Sequence, residues 1–224
     1  MAETHIVIAL YPGVTHLDFT APHQVFSRLP GGRVVVASMG GMDVEADGLT
    51  FTRLADLAAV ERCDVLCVPG GFGTADAMLD EAFMGEIRRL GAGATYLTSV
   101  CTGSLILGAA GFLKGKRAAC HWAWRDLLTE FGAIPDDSRV ARDGNIITGG
   151  GVTAGLDFAF VTVAELAGEA VAQSIQLGLE YAPAPPFNAG RPETAPPEIL
   201  AAVKARMEPA RRREAVAEAA RRIG

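Results

Sequence analysis

The chain has 224 residues and a mass of 23.4 kDa, the size of one large domain or two small ones. Half of it is apolar and 21% is charged, which excludes a disordered chain, a collagen and a scaffold that depends on disulfides. A formal net charge of −6 argues against general nucleic-acid binding.

Residues 6–10 read as the first strand. Asp18 follows in Leu17-Asp18-Phe19-Thr20-Ala21-Pro22, where Pro22 suits the first turn of a helix. Residues 33–38 read as a second strand. Residues 64–68 are a continuous apolar run closed by Pro69-Gly70-Gly71-Phe72-Gly73. Cys63 and Cys67 are spaced C-x3-C across its start, and no second pair or His cluster completes a zinc site with them, so they read as buried structural cysteines. Residues 75–90 have apolar positions at helical spacing. Residues 95–100 form another apolar run, which feeds Cys101. Residues 104–113 and 124–131 read as helical, with Cys120, His121 and Trp122 between them. Arg142-Asp-Gly-Asn145 is a hairpin turn leading into a strand at 145–148 and the run Gly149-Gly150-Gly151. Residues 152–166 read as a helix.

After Tyr181 the composition changes. Residues 182–192 hold much of the proline and read as an extended arm, followed by a helix from about residue 197 to residue 222. Residues 204–224 carry seven basic and three acidic residues, and Arg211, Arg212 and Arg213 read as a solvated helix face. The β/α alternation, with strands apolar on both faces, predicts a three-layer α/β sandwich around a mostly parallel central sheet. Residues 1–181 are the expected α/β domain, and 182–224 an arm and helix that belong to it or to a dimer interface. No apolar run reaches the roughly 18 residues of a membrane span. The first residues lack a basic n-region, and the four cysteines read as reduced thiols, so a cytoplasmic protein is expected, with neither membrane nor nucleic acid as partner.

Ligands of open α/β sheets bind outside the carboxyl ends of the strands, where three Gly-rich segments fall. The segment Ser99-Val-Cys101-Thr-Gly103 is the most informative. Small residues two positions either side of Cys101 follow the logic of a nucleophile elbow, with Cys in place of Ser. A helix starting at once would aim its amides at the sulfur and lower the thiol pKa. The alternative is a packing cysteine; the strand–Cys–helix context favours the nucleophile. Backbone N–H groups near Gly71, beside that of Thr102, would make an anion hole, or else Gly71 merely serves a turn. A dinucleotide fingerprint at Gly71-Phe72-Gly73 lacks its third glycine. Asp18 is either a helix-start carboxylate or the acid and base of the site, and His121 either a core histidine or a base.

These residues resemble the ThiJ/PfpI superfamily, of class I glutamine amidotransferase-like, flavodoxin-like fold. Val68-Pro-Gly-Gly71, the Cys101 elbow and Asp18 stand in its order. Within it the chain resembles bacterial isocyanide (isonitrile) hydratases, through Leu17-Asp-Phe-Thr-Ala-Pro-His23, Thr98-Ser-Val-Cys-Thr-Gly-Ser-Leu105, His121-Trp122-Ala123, Thr148-Gly-Gly-Gly-Val-Thr-Ala-Gly155 and the arm Tyr181-Ala-Pro-Ala-Pro-Pro-Phe-Asn-Ala189. Ala21 replaces a common Gly and Val152 an expected Ile. The resemblance implies a hydro-lyase that converts an isocyanide and water to an N-substituted formamide, as a homodimer with no metal or organic cofactor. It implies Cys101 as nucleophile, Asp18 as general acid and base, Thr102 as a backbone donor, and Gly71 in the anion hole. Gly150 and Val152 would start a helix beside the cysteine, with Phe72, His121 and Trp122 around the substrate. A glyoxalase- or deglycase-like thiol enzyme acting on reactive carbonyls, and a non-enzymatic redox sensor or regulator, are the alternatives.

Overall fold

A computed structural model describes residues 3–207 and 210–223, the side chains of residues 210 and 211 excepted. In chain order the elements begin with β1 (Thr4–Ala9), α1 (His16–Phe26), β2 (Gly32–Ser38), the hairpin β3 (Val44–Ala46) and β4 (Leu49–Phe51), and β5 (Ala55–Asp56). Next come β6 (Val65–Val68), α2 (Thr74–Leu79), α3 (Glu81–Gly93), β7 (Tyr96–Val100) and α4 (Gly103–Ala109). They are followed by β8 (Arg117–Ala119), a 3-10 helix (Arg125–Phe131), β9 (Ile134–Asp136), β10 (Val140–Asp143) and β11 (Ile146–Gly149). The chain closes with α5 (Ala154–Ala167), α6 (Glu169–Gly178), α7 (Pro197–Met207) and α8 (Ala210–Ile223).

The main sheet has seven strands in the order β10-β11-β7-β6-β1-β2-β5. All its pairings are parallel except β10–β11, the hairpin turned at residues 142–145. Every residue of β6 and of β11 is buried, as a strand covered on both faces must be. Helices α1, α5 and α6 pack together, and α2, α3, α4, α8 and the 3-10 helix form a second group. The two groups flank the sheet, which gives the three layers expected.

Several elements differ from the sequence reading. The helix expected over 75–90 is two helices, because the Asp80 side chain accepts from the N–H groups of Ala82 and Phe83 at 3.0 and 3.2 Å and starts a new helix. Residues 125–131 form a 3-10 helix, not an α-helix. Pro22 lies inside α1, since the helix already starts at His16. The helix expected at 152 starts at Ala154. Within the long terminal helix expected, α7 and α8 are described, and residues 208 and 209 lie outside the described residues.

Candidate active site

The carboxyl ends of β1, β6, β7 and β11 converge on Cys101. Its backbone has φ +58°, a left-handed conformation that non-glycine residues rarely adopt and that functional sites retain. Hydrogen bonds hold the bend: the Cys101 N–H donates to the carbonyls of Gly149 at 3.1 Å and Gly150 at 2.7 Å. Close packing seats the next turn. A Cβ on Gly103 would stand 2.0 Å from the Val68 carbonyl oxygen, and one on Gly70 2.5 Å from the Thr102 nitrogen. Only glycine lets the β6 and β7 ends approach so closely.

Asp18 reaches the cysteine from α1. It is fully buried, and its Oδ2 accepts from the Gly70 N–H at 2.9 Å. Oδ1 has no hydrogen-bond partner of normal geometry among the described residues, yet the carboxyl and the Cys101 thiol interact closely enough to shift each other's titration. Burial is the main cause that raises the Asp18 carboxyl to about 7; the Gly70 N–H and the thiol oppose it. Burial also pushes the Cys101 thiol well up, the Asp18 carboxylate pushes it further, and the Thr102 backbone N–H pulls it down.

This corrects the expectation of a lowered thiol pKa. Cys101 is 5% exposed, and burial outweighs the amides at the start of α4. The anion hole is corrected too. The Gly71 N–H is occupied, donating to Thr102 Oγ1 at 3.0 Å, and Thr102 Oγ1 also meets Thr74 Oγ1 at 2.7 Å. The Thr102 hydroxyl therefore serves the β6–β7 turn network, while its backbone N–H faces the sulfur.

A cavity of about 170 Å³ opens at the sulfur, walled by Phe72, Trp124, Val152, Met207 and Arg212, with Thr102 and His121 also lining it. It is small beside the roughly 300–1,000 Å³ of sites for drug-sized ligands. His121 is buried between the Trp122 and Trp124 rings. Its Nδ1 accepts from the Ala123 N–H at 3.2 Å, which leaves Nε2 to carry the ring proton. Burial, then the charge of Arg212, lowers its pKa to about 4, so the ring is neutral near pH 7. Trp122 and Gly150 line a second, larger cavity of about 470 Å³ instead, which also takes in Arg139 and Arg191 and shares His121 and Val152 with the first. Cys63, Cys67 and Cys120 are buried, with thiols raised by burial to about 11, 12 and 12. Among the described residues no cluster of His, Cys, Asp and Glu fits a metal ion.

Sequence reasoning missed Arg212. It is buried, not solvated; Arg213 alone of that triplet fits the solvated reading, paired with Asp126 on the surface, and the Arg211 side chain lies outside the described residues. The signal was the spacing: Arg212 shares its helix face with buried Ala215, Val216 and Ala219.

The sequence profile of the DJ-1/PfpI family matches residues 4–165. The chain belongs to this family. It is 49% identical over 203 residues to the isonitrile hydratase of Pseudomonas putida, covering 89% of this chain and 88% of that one. It is 29% identical over 185 residues to the dj-1beta protein of Drosophila melanogaster, covering 80% of this chain and 97% of that one. Among solved structures, a ThiJ/PfpI family protein from Pseudomonas syringae superposes with a TM-score of 0.92 at 43% identity, covering 98% of this chain and 91% of that one. The expected family and fold are borne out.

Proposed function

We propose that this family member is an isocyanide hydratase, which adds water to a small isocyanide and releases an N-substituted formamide. The observation that carries the reading is the 49% identity to an isonitrile hydratase along nine-tenths of both chains, joined to a buried Cys–Asp pair at the mouth of a small, largely apolar pocket. A neutral, rod-like isocyanide suits such a pocket better than a hydrated carbonyl does.

The terminal carbon of R–N≡C bears a lone pair and accepts a nucleophile once that carbon is protonated. The Cys101 thiol gives its proton to the Asp18 carboxylate. The sulfur then bonds to the carbon while Asp18 delivers the proton to that same carbon, forming the thioimidate Cys–S–CH=N–R. Asp18, ionised again, takes a proton from water; the hydroxyl bonds to the carbon and the proton passes to nitrogen. Collapse of the tetrahedral intermediate breaks the C–S bond, the hydroxyl proton returns through Asp18 to sulfur, and the formamide leaves. The Thr102 N–H stabilises the negative charge that develops on the sulfur as the thiol loses its proton and again as the C–S bond breaks. Gly150 holds the Cys101 bend through its carbonyl. Val152, Phe72 and Trp124 give the pocket an apolar wall beside the sulfur.

We further propose that residues 182–224 join a homodimer interface. Leu177 on α6, Phe187 in the arm and Ile199 on α7 are 83%, 80% and 50% exposed, apolar side chains that a second copy would cover. Incubation of the protein with an aryl or alkyl isocyanide, followed by NMR, tests the activity: a formamide singlet that grows with enzyme concentration is expected. Turnover of methylglyoxal with no formamide from any isocyanide would replace this reading by the carbonyl one.

A further inference from the structure

The hydration scheme leaves one buried charge in the pocket unused. Arg212 is 2% exposed. Its guanidinium lies 3.7 Å from the centroid of the Trp124 ring, and Nη2 donates to the Gly71 carbonyl at 3.1 Å. Nε and Nη1 are buried and have no hydrogen-bond partner among the described residues. A buried cation without a carboxylate partner is unfavourable unless a nearby anion offsets its desolvation. Arg212 lines the Cys101 pocket and is the one Lys or Arg to do so among the described residues.

The titratable groups that act on it are Tyr11 after β1, Cys101 after β7, and Cys120 and His121 after β8. Asp47 in the β3–β4 turn shares the pocket lining, and Asp18 on α1 acts on Cys101. Tyr11 and Cys120 are held protonated by burial, and His121 is held neutral. Burial works against the Arg212 charge, and Cys101 is the strongest of the groups that favour it. Arg212 and Cys101 line the same small pocket, and a cation there favours a negative charge on the sulfur.

We infer that Arg212 is a positioning residue that brings the counter-charge of α8 to Cys101 and favours its thiolate at the moment the proton leaves. It does so across the cation–π seat on Trp124, which fixes the guanidinium without neutralising it. The helix that carries it lies beyond the residues 4–165 common to the family, so the C-terminal segment completes a site the shared domain begins. The catalytic consequence rests on the hydration reading; the effect on the thiol does not.

Alkylation of Cys101 by iodoacetamide, followed by peptide mass analysis of the full chain from neutral to alkaline pH, separates the two. Arg212→Gln keeps a donor for Gly71 but no charge, and Arg212→Met keeps a stem over Trp124; thermal melts establish that each is folded. Either uncharged variant should alkylate about tenfold more slowly at neutral pH, with its profile moved to higher pH, while Arg212→Lys stays near wild type. A folded Gln or Met variant with the wild-type profile, or a Lys variant shifted as far as Gln, would overturn the inference and leave Arg212 a packing residue. A shift in alkylation with no formamide from the wild type would support Arg212's role and remove the hydration reading instead.

Discussion

Asp18 is the residue at which burial and chemistry meet. In the unfolded chain its carboxyl titrates near 3.8, and in the fold near 7. Between those values the folded state keeps a proton that the unfolded chain has released, so this group's stabilisation is complete below the lower value and is lost as pH rises through the upper one. Asp18→Asn removes the buried charge. Its unfolding free energy should exceed wild type by an amount that grows from pH 4 to pH 7 and then levels, on the order of a few kcal/mol, since one pKa unit is about 1.4 kcal/mol; calorimetry across that range checks it. The same variant should lose about 10²–10⁴ in kcat, because an amide cannot carry the proton. The competent pair holds one proton between Asp18 and Cys101, so kcat/KM should rise with pH through about 7. A profile that falls over the same range would mean that Asp18 must start protonated. The sequence pointed to Cys101 because it stands at a strand-to-helix elbow, and to Asp18 because it stands at the start of the helix that follows the first strand. It could not report that burial raises both groups, which depends on walls brought in from α8, β8 and the β3–β4 turn.

At the scale of elements, the bend between β7 and α4 sets the sulfur, and its limits are steric. Gly103→Ala would drive a methyl into the Val68 carbonyl, 2.0 Å away. Overpacking of this kind typically costs about 1–3 kcal/mol; a lower melting point together with a lower turnover is expected, and an unchanged melt would show that β6 can move aside. The parallel strands were legible as apolar runs, because helices on both faces leave no polar side to interrupt the pattern. Helix breaks were less legible. Asp80 reads as one polar position in a helical stretch until its side chain is seen bonded to two backbone amides. In α8 the opposite error arose: Arg212 reads as solvated from its neighbours in sequence, while its neighbours on the helix face are buried.

At the scale of the whole molecule, the proposed homodimer would cover the exposed side chains of Leu177, Phe187 and Ile199. Light scattering at micromolar concentration should return about twice the 23.4 kDa chain mass. Phe187→Asp should weaken that assembly. A wild-type monomer that still hydrates isocyanides would remove the dimer from the account. No helix among the described residues is long and apolar enough to cross a membrane.

The most direct measurement quenches wild type and Cys101→Ala during turnover of an isocyanide in ¹⁸O-water, then weighs both the Cys101 peptide and the product. The account predicts one isocyanide mass on the wild-type Cys101 peptide, one ¹⁸O in the formamide, and neither adduct nor catalysed product from Cys101→Ala. Formamide released by Cys101→Ala at the wild-type rate would contradict it.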